Sequence, residues 1–164
     1  MPEAHRVSVL GGGSFGTVIA NIVALNGSKV SLWLRNESRA DEINRERENT
    51  EYLPGYRLHH NLQATTSLQV AISDIDILFV AVPSKSFREV AKEVAGHITR
   101  QTLVVSLTKG IEAHGFRLMS QILQEELPHN PVAVLSGPNL AGEIAAGQIT
   151  GSVVASATTP IKTT

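Results

Sequence analysis

Gly11, Gly13 and Gly16 stand at the spacing G-x-G-x-x-G, in the run Gly11-Gly12-Gly13-Ser14-Phe15-Gly16. Such a turn can seat a pyrophosphate: the first glycine permits a tight turn and the second lets backbone approach the phosphates. The third lets the following helix pack closely on its strand. Amide N–H groups and the positive end of the helix dipole would then face the anion. Three further groups could work with this turn. Arg35 follows the next apolar run, Lys109 follows a later one and precedes Gly110, and Gly137-Pro138-Asn139 follows a third.

These groups are useful only if the elements around them place them together. Val7 to Leu10 reads as a strand and Thr17 to Leu25 as a helix, with Gly27 ending it after Asn26. Lys29 to Leu34 reads as a second, parallel strand through a right-handed crossover. The end of this strand usually decides cofactor choice. An acidic residue there would hold a ribose 2′-hydroxyl and repel a 2′-phosphate. Here the position carries Arg35, which could grip a 2′-phosphate with two N–H groups and stack on adenine, or stand as a solvated charge. The preferred cofactor is therefore NADP(H), with NAD(H) also accommodated.

Downstream, Ser38 is expected to cap a polar helix from Arg39 to about Glu48, and Pro54-Gly55 to mark a loop. A short strand is expected near Asn61 to Thr65, followed by a helix capped by Ser67 and ending at Ile72. Asp76 to Val82 has the continuous apolar character of a parallel strand covered on both faces. Pro83 ends it, and Ser84 is expected to cap a helix through Ala95. Leu103 to Leu107 is the next strand. Its carboxyl end presents Thr108-Lys109-Gly110, where a lysine could bind phosphate, polarise a carbonyl or simply face solvent.

A helix is expected from Phe116 to Leu127, with Leu118, Met119, Ile122 and Leu123 on its apolar face. A strand from Pro131 to Ser136, a helix from Leu140 to Ala146 and a last strand from Gly151 to Ala157 complete the pattern. Alternation of strands and helices gives an α/β fold, a Rossmann-type doubly wound and mostly parallel sheet. Residues 1–157 are expected to form the dinucleotide-binding domain, with 158–164 starting a connection to a substrate domain.

Bulk properties narrow the function. The chain has 164 residues, 42% of them hydrophobic, which suits one domain with a sizeable core. Its net charge of −1 gives no bulk electrostatic support to a nucleic-acid surface. With no cysteine, thiolate catalysis and disulfides are excluded, and a reducing cytoplasm is compatible. No signal peptide is visible before the first strand, and the longest apolar run, Ile77 to Val82, cannot span a bilayer. The six histidines lack metal-site spacing, and the adjacent His59 and His60 would point apart even on a strand, so surface or loop histidines are expected.

The sequence resembles the amino-terminal domain of bacterial NAD(P)-dependent glycerol-3-phosphate dehydrogenase, from about Val7 to Ser156. The resemblance rests on the glycine turn with Thr17, Leu32-Trp33-Leu34-Arg35, Asn49 with Tyr52-Leu53-Pro54-Gly55, and Val82-Pro83-Ser84. It continues through Thr108-Lys109-Gly110-Ile111-Glu112, Ser136-Gly137-Pro138-Asn139-Leu140-Ala141 and Glu143. Gly12 and Asn139 depart from the family pattern of alanine and of serine or threonine.

This resemblance implies hydride transfer between NAD(P)H and dihydroxyacetone phosphate, giving sn-glycerol 3-phosphate for phospholipid synthesis. It implies cofactor contacts at Ser14, Phe15, Arg35 and Ala141, cofactor and substrate contacts at Lys109, and substrate contacts at Gly137 and Asn139. It also implies an acid–base lysine in a helical domain beyond Thr164. The chain alone is therefore expected to bind cofactor with little turnover. A homodimer is compatible with the full-length protein. Two other readings stay open: a ketopantoate-reductase-like dehydrogenase, and a non-catalytic dinucleotide-binding module.

Overall fold

A computed structural model describes residues 4–156. The expected connection at 158–164, and the expected last strand residue Ala157, lie outside the described residues. Strands β1 (Arg6–Leu10), β2 (Lys29–Trp33), β3 (Leu62–Thr65), β4 (Ile77–Val80), β5 (Leu103–Ser106), β6 (Val132–Ser136) and β7 (Val153–Ser156) form one sheet. Their spatial order is β3-β2-β1-β4-β5-β6-β7. Every neighbouring pair from β3 to β6 is parallel, and β7 runs antiparallel to β6.

The helices are α1 (Ser14–Leu25), α2 (Glu37–Glu46), α3 (Leu68–Ala71), α4 (Ser84–Val94), α5 (Met119–Glu126) and α6 (Ala141–Ala145). Alternate strand residues enter opposite layers, as the two-residue period of a strand requires. Val7 and Val9 of β1 join Val18, Ala20 and Ile43 of α1 and α2. Leu10, Leu78 and Val80 join Phe87, Val90, Ile122 and Leu123 of α4 and α5 on the other face. The sheet is thus covered on both sides. Chain order reverses between β1 and β4, so the carboxyl ends of these two strands open a crevice.

Three sequence expectations are corrected by local backbone geometry and capping. Asn36, not Ser38, caps α2: its Oδ1 accepts from the Arg39 N–H at 2.9 Å and from the Ser38 hydroxyl at 2.8 Å. The helix therefore starts earlier, and it ends at Glu46 rather than near Glu48 because Arg47 takes a left-handed φ of 58°. Ser84 is already helical, and Pro83 occupies the cap position of α4 without a side-chain bond. Helix α5 begins at Met119, not Phe116, because Phe116 adopts a left-handed φ of 53°. Leu118 then pairs with Ile111 in an isolated bridge and is exposed instead of lying on the apolar face. By contrast, Ser67 caps α3 as expected, its Oγ accepting from the Val70 N–H at 3.3 Å.

Candidate dinucleotide site

Each glycine of the turn meets a different constraint. Gly11 has a φ of 121°, and a Cβ on it would lie 2.6 Å from the Ala81 carbonyl oxygen. Only glycine lets β1 exit this close to the end of β4. A Cβ on Gly16 would lie 2.0 Å from the Gly11 carbonyl oxygen, so this residue seals the helix onto the turn. Around Gly13 there is open space: a Cβ would meet nothing within 4 Å. Gly13 also caps α1 without a side chain. The first-turn amides of Ser14, Phe15 and Gly16 consequently have no capping acceptor. Glycine packing and free amides together make a cradle that fits a pyrophosphate.

Asn49 holds this cradle from behind. It is fully buried, and its Nδ2 donates to the Gly12 carbonyl at 3.0 Å and to Thr17 Oγ1 at 2.9 Å. A loop residue 37 positions away thereby ties the turn to the first helix.

The turn opens into a cleft of about 570 Å³, within the range of small-molecule sites. Gly11 through Gly16 form its floor. Trp33, Leu34 and Arg35 flank it at the carboxyl end of β2, and Ala81, Val82 and Pro83 just beyond that of β4. Three cations border it: Arg35, Arg39 and Lys85. Arg35 is exposed, 3.9 Å from Glu89, with its guanidinium 5.9 Å from the Trp33 ring centre. Arg39 is paired with Glu51, and its guanidinium lies 4.7 Å from the Tyr52 ring centre. Of these lining residues, Arg39 and Lys85 carried no functional signal in the sequence. A basic residue in the opening turns of a helix is too common to single out, and Arg39 became recognisable only when the loop carrying Tyr52 folded against it.

The other expected site residues gather beside this cleft. Thr108 Oγ1 donates to the Val82 carbonyl at 2.7 Å and so clamps the ends of β4 and β5. The exposed Lys109 follows, and its Nζ donates to the Gly137 carbonyl at 3.0 Å. Gly110 turns the chain with a φ of 116°. Gly137 is confined for a structural reason: a Cβ there would lie 2.3 Å from the Gly151 carbonyl oxygen. Asn139 is buried, and its Nδ2 donates to Ser152 Oγ at 3.1 Å. Ala141 begins α6 and packs, partly buried, against the core layer that contains Val18. Lys109, Gly137, Asn139 and Ala141 are not lining residues of the cleft itself.

His59 and His60 lie in a loop, as expected. They precede β3, and their ring centres are 4.0 Å apart. Burial, then the neighbouring His60 and Arg47, holds His59 below the ordinary imidazole range. Among the described residues, no helix is long and apolar enough to cross a membrane.

Comparison with known proteins agrees with this geometry. Residues 6–161 match the family model described as NAD-dependent glycerol-3-phosphate dehydrogenase N-terminus. The chain is 58% identical over 156 residues to a glycerol-3-phosphate dehydrogenase, NAD(P)+ form, of Saccharophagus degradans; the match covers 95% of this chain and 44% of that protein. The crystal structure of glycerol-3-phosphate dehydrogenase from Coxiella burnetii superposes with a TM-score of 0.90 at 36% identity, covering 96% of this chain and 48% of that one. The yeast enzyme from Saccharomyces cerevisiae gives a TM-score of 0.87 at 30% identity, over 98% and 49% of the two chains. The chain therefore spans about half the length of the relatives it matches.

Proposed function

The chain belongs to the NAD-dependent glycerol-3-phosphate dehydrogenase family as its amino-terminal, dinucleotide-binding domain, and from that membership we propose that it serves hydride transfer between NAD(P)H and dihydroxyacetone phosphate, giving sn-glycerol 3-phosphate. The observation that carries this reading is the open space at Gly13 beside free amides at the start of α1. The membership favours this substrate over the ketopantoate of the alternative dehydrogenase reading. The product is a precursor for glycerophospholipids, and the reaction belongs in a reducing cytoplasm.

Within this reading, the amides of Ser14 and Phe15 hold the pyrophosphate, and Gly11 and Gly16 keep the turn in shape. The nicotinamide, when bound, supplies the hydride. Arg35 at the end of β2 supports a preference for NADP(H), because a guanidinium there attracts a 2′-phosphate while NAD(H) still fits. Lys109 supplies a positive charge at Nζ for the developing alkoxide oxygen or a substrate phosphate. The hydrogen bond from Lys109 to Gly137 supports a substrate position near Gly137 and Asn139, with Ala141 toward the cofactor.

Lys109 cannot by itself enclose the substrate and deliver the carbonyl proton, which needs a positioned acid. The family resemblance puts that acid in a helical domain. The 164-residue chain is accordingly a cofactor binder with little turnover. Exposed apolar side chains of Phe116, Leu140 and Ile149 on the loops after β5 and β6 support a face that a longer chain covers, and a homodimer of such a chain is compatible with it.

The test is titration with NADPH and NADH, followed by an oxidation assay with dihydroxyacetone phosphate. Saturable binding with negligible NADPH oxidation is expected. Absence of binding to either dinucleotide would overturn the assignment, and rapid turnover would overturn the division of labour.

A further inference from the structure

We propose that Arg39, seated on Tyr52, is the preorganised cation that reads the 2′-phosphate of the dinucleotide, with Arg35 acting as its more exposed companion. The inference rests on the dinucleotide reading of the cleft and adds a specificity-determining residue to it.

Both arginines border the same cleft, but they are held differently. The Arg35 side chain is 62% exposed, and its nearest carboxylate, Glu89, is 3.9 Å away. The Arg39 side chain is only 17% exposed. One face of its guanidinium is turned to the Tyr52 ring at 4.7 Å, and Nη2 is engaged by Glu51. Among the described residues, its Nε and Nη1 have no hydrogen-bond partner.

This arrangement suits recognition of a phosphomonoester. A guanidinium is planar, permanently charged and carries five donors in a rigid fork. Stacking and the Glu51 pair remove most of its conformational freedom before a ligand arrives, so little is lost when donors engage phosphate oxygens. Asn36 fixes the backbone from which the side chain departs, through its bond to the Arg39 N–H. The position also brings two cations from opposite sides of one turn: Arg35 leaves the end of β2, and Arg39 leaves the start of α2. A dianionic phosphate can accept from both, whereas the 2′-hydroxyl of NADH offers no charge to either.

The experiment uses the 164-residue chain, with Kd measured by fluorescence or calorimetry for NADPH, NADH, 2′,5′-ADP and 5′-AMP. In Arg39→Gln, binding of NADPH and 2′,5′-ADP should weaken by about tenfold or more, while NADH and 5′-AMP change by less than about threefold. Arg39→Lys, which retains charge without the planar fork, should recover part of the NADPH preference and serves as the variant of record should Arg39→Gln fail to fold. Equal losses for phosphorylated and unphosphorylated ligands, or no loss at all, would overturn the role of Arg39 while leaving the dinucleotide site intact. Failure of the unaltered chain to bind any of the four would overturn both.

Discussion

Arg88 grips Glu112 with two parallel hydrogen bonds, Nε to Oε1 at 2.5 Å and Nη2 to Oε2 at 2.9 Å. The pair joins α4 to the loop that carries Lys109, three residues upstream of Glu112. Arg88 also meets Glu125 and Glu126 at the end of α5. One guanidinium thus gathers carboxylates from two segments and ties the β5–α5 loop to α4 and α5. Arg117 adds a second cation through Glu125.

Replacing Arg88 by alanine leaves Glu112, Glu125 and Glu126 facing one another without their shared cation. Partly buried, charge-assisted bonds are lost, so stability should fall by about 2 kcal/mol. A domain of this size should then melt roughly 4–8 °C lower. Thermal unfolding followed by circular dichroism checks the value.

The same contact makes stability depend on acidity. The hydrogen bond from Arg88 holds the Glu112 carboxyl below its ordinary value of 4.5, with smaller favourable effects of nearby cations and an opposing effect of burial. A carboxylate favoured in the folded state contributes fully above that ordinary value and loses its contribution as pH falls through the depressed one. The unaltered chain should therefore melt higher than Glu112→Gln near neutrality. The two melting temperatures should converge as pH drops below 4.5, as a pH series of melting curves will record.

Two glycine substitutions separate folding from binding. Gly16→Ala places a methyl 2.0 Å from the Gly11 carbonyl oxygen and should destabilise the chain severely. Gly13→Ala adds a methyl to open space at a φ of −75°, so stability should stay within about 1 kcal/mol. On the proposed dinucleotide reading that methyl would obstruct the approach of the pyrophosphate, and NADPH affinity should drop about tenfold or more. Melting and titration of the two variants provide the contrast.

Asn49→Ala removes both donors that secure Gly12 and Thr17 in a buried position. The orphaned acceptors should cost about 1–3 kcal/mol. Dinucleotide binding should weaken as the turn loosens, to a similar degree for NADPH and NADH. Parallel titrations check this equality, which contrasts with the selective loss expected at Arg39.

Lys109→Ala and Gly137→Ala should fail in opposite ways. Lys109 is exposed, and its loss should change stability by less than about 0.5 kcal/mol. Gly137→Ala forces a Cβ to 2.3 Å from the Gly151 carbonyl, which must displace the segment leading into β7. Hydrogen exchange should show protection lost at Val153–Ser156 in the glycine variant and retained in the lysine variant.

The succession of strands and helices could be read directly, because apolar runs and glycine or proline stops act within a few residues. β1, α1 and β2 flank a glycine turn whose meaning is local: Gly11, Gly13 and Gly16 are specified by their neighbours in the chain. The boundaries were less legible where two caps competed. Asn36 and Ser38 are both good caps, and the choice fell to Asn36 because its Oδ1 meets the Arg39 amide. The start of α5 depended on the Ile111–Leu118 bridge, a contact between loop residues that no periodicity announces.

What the sequence determined by itself was the doubly wound fold, the glycine turn between β1 and α1 and the presence of Arg35 and Lys109 at strand ends, since each follows from short-range pattern and backbone geometry. What only the tertiary structure decided was partnership. Asn49 reaches the turn across 37 positions, Arg39 acquires Tyr52 and Glu51 from a folded loop, and Lys109 meets Gly137 from the neighbouring strand. Side-chain types record what a residue can offer, but packing alone selects which acceptor, ring or carboxylate arrives within reach of it.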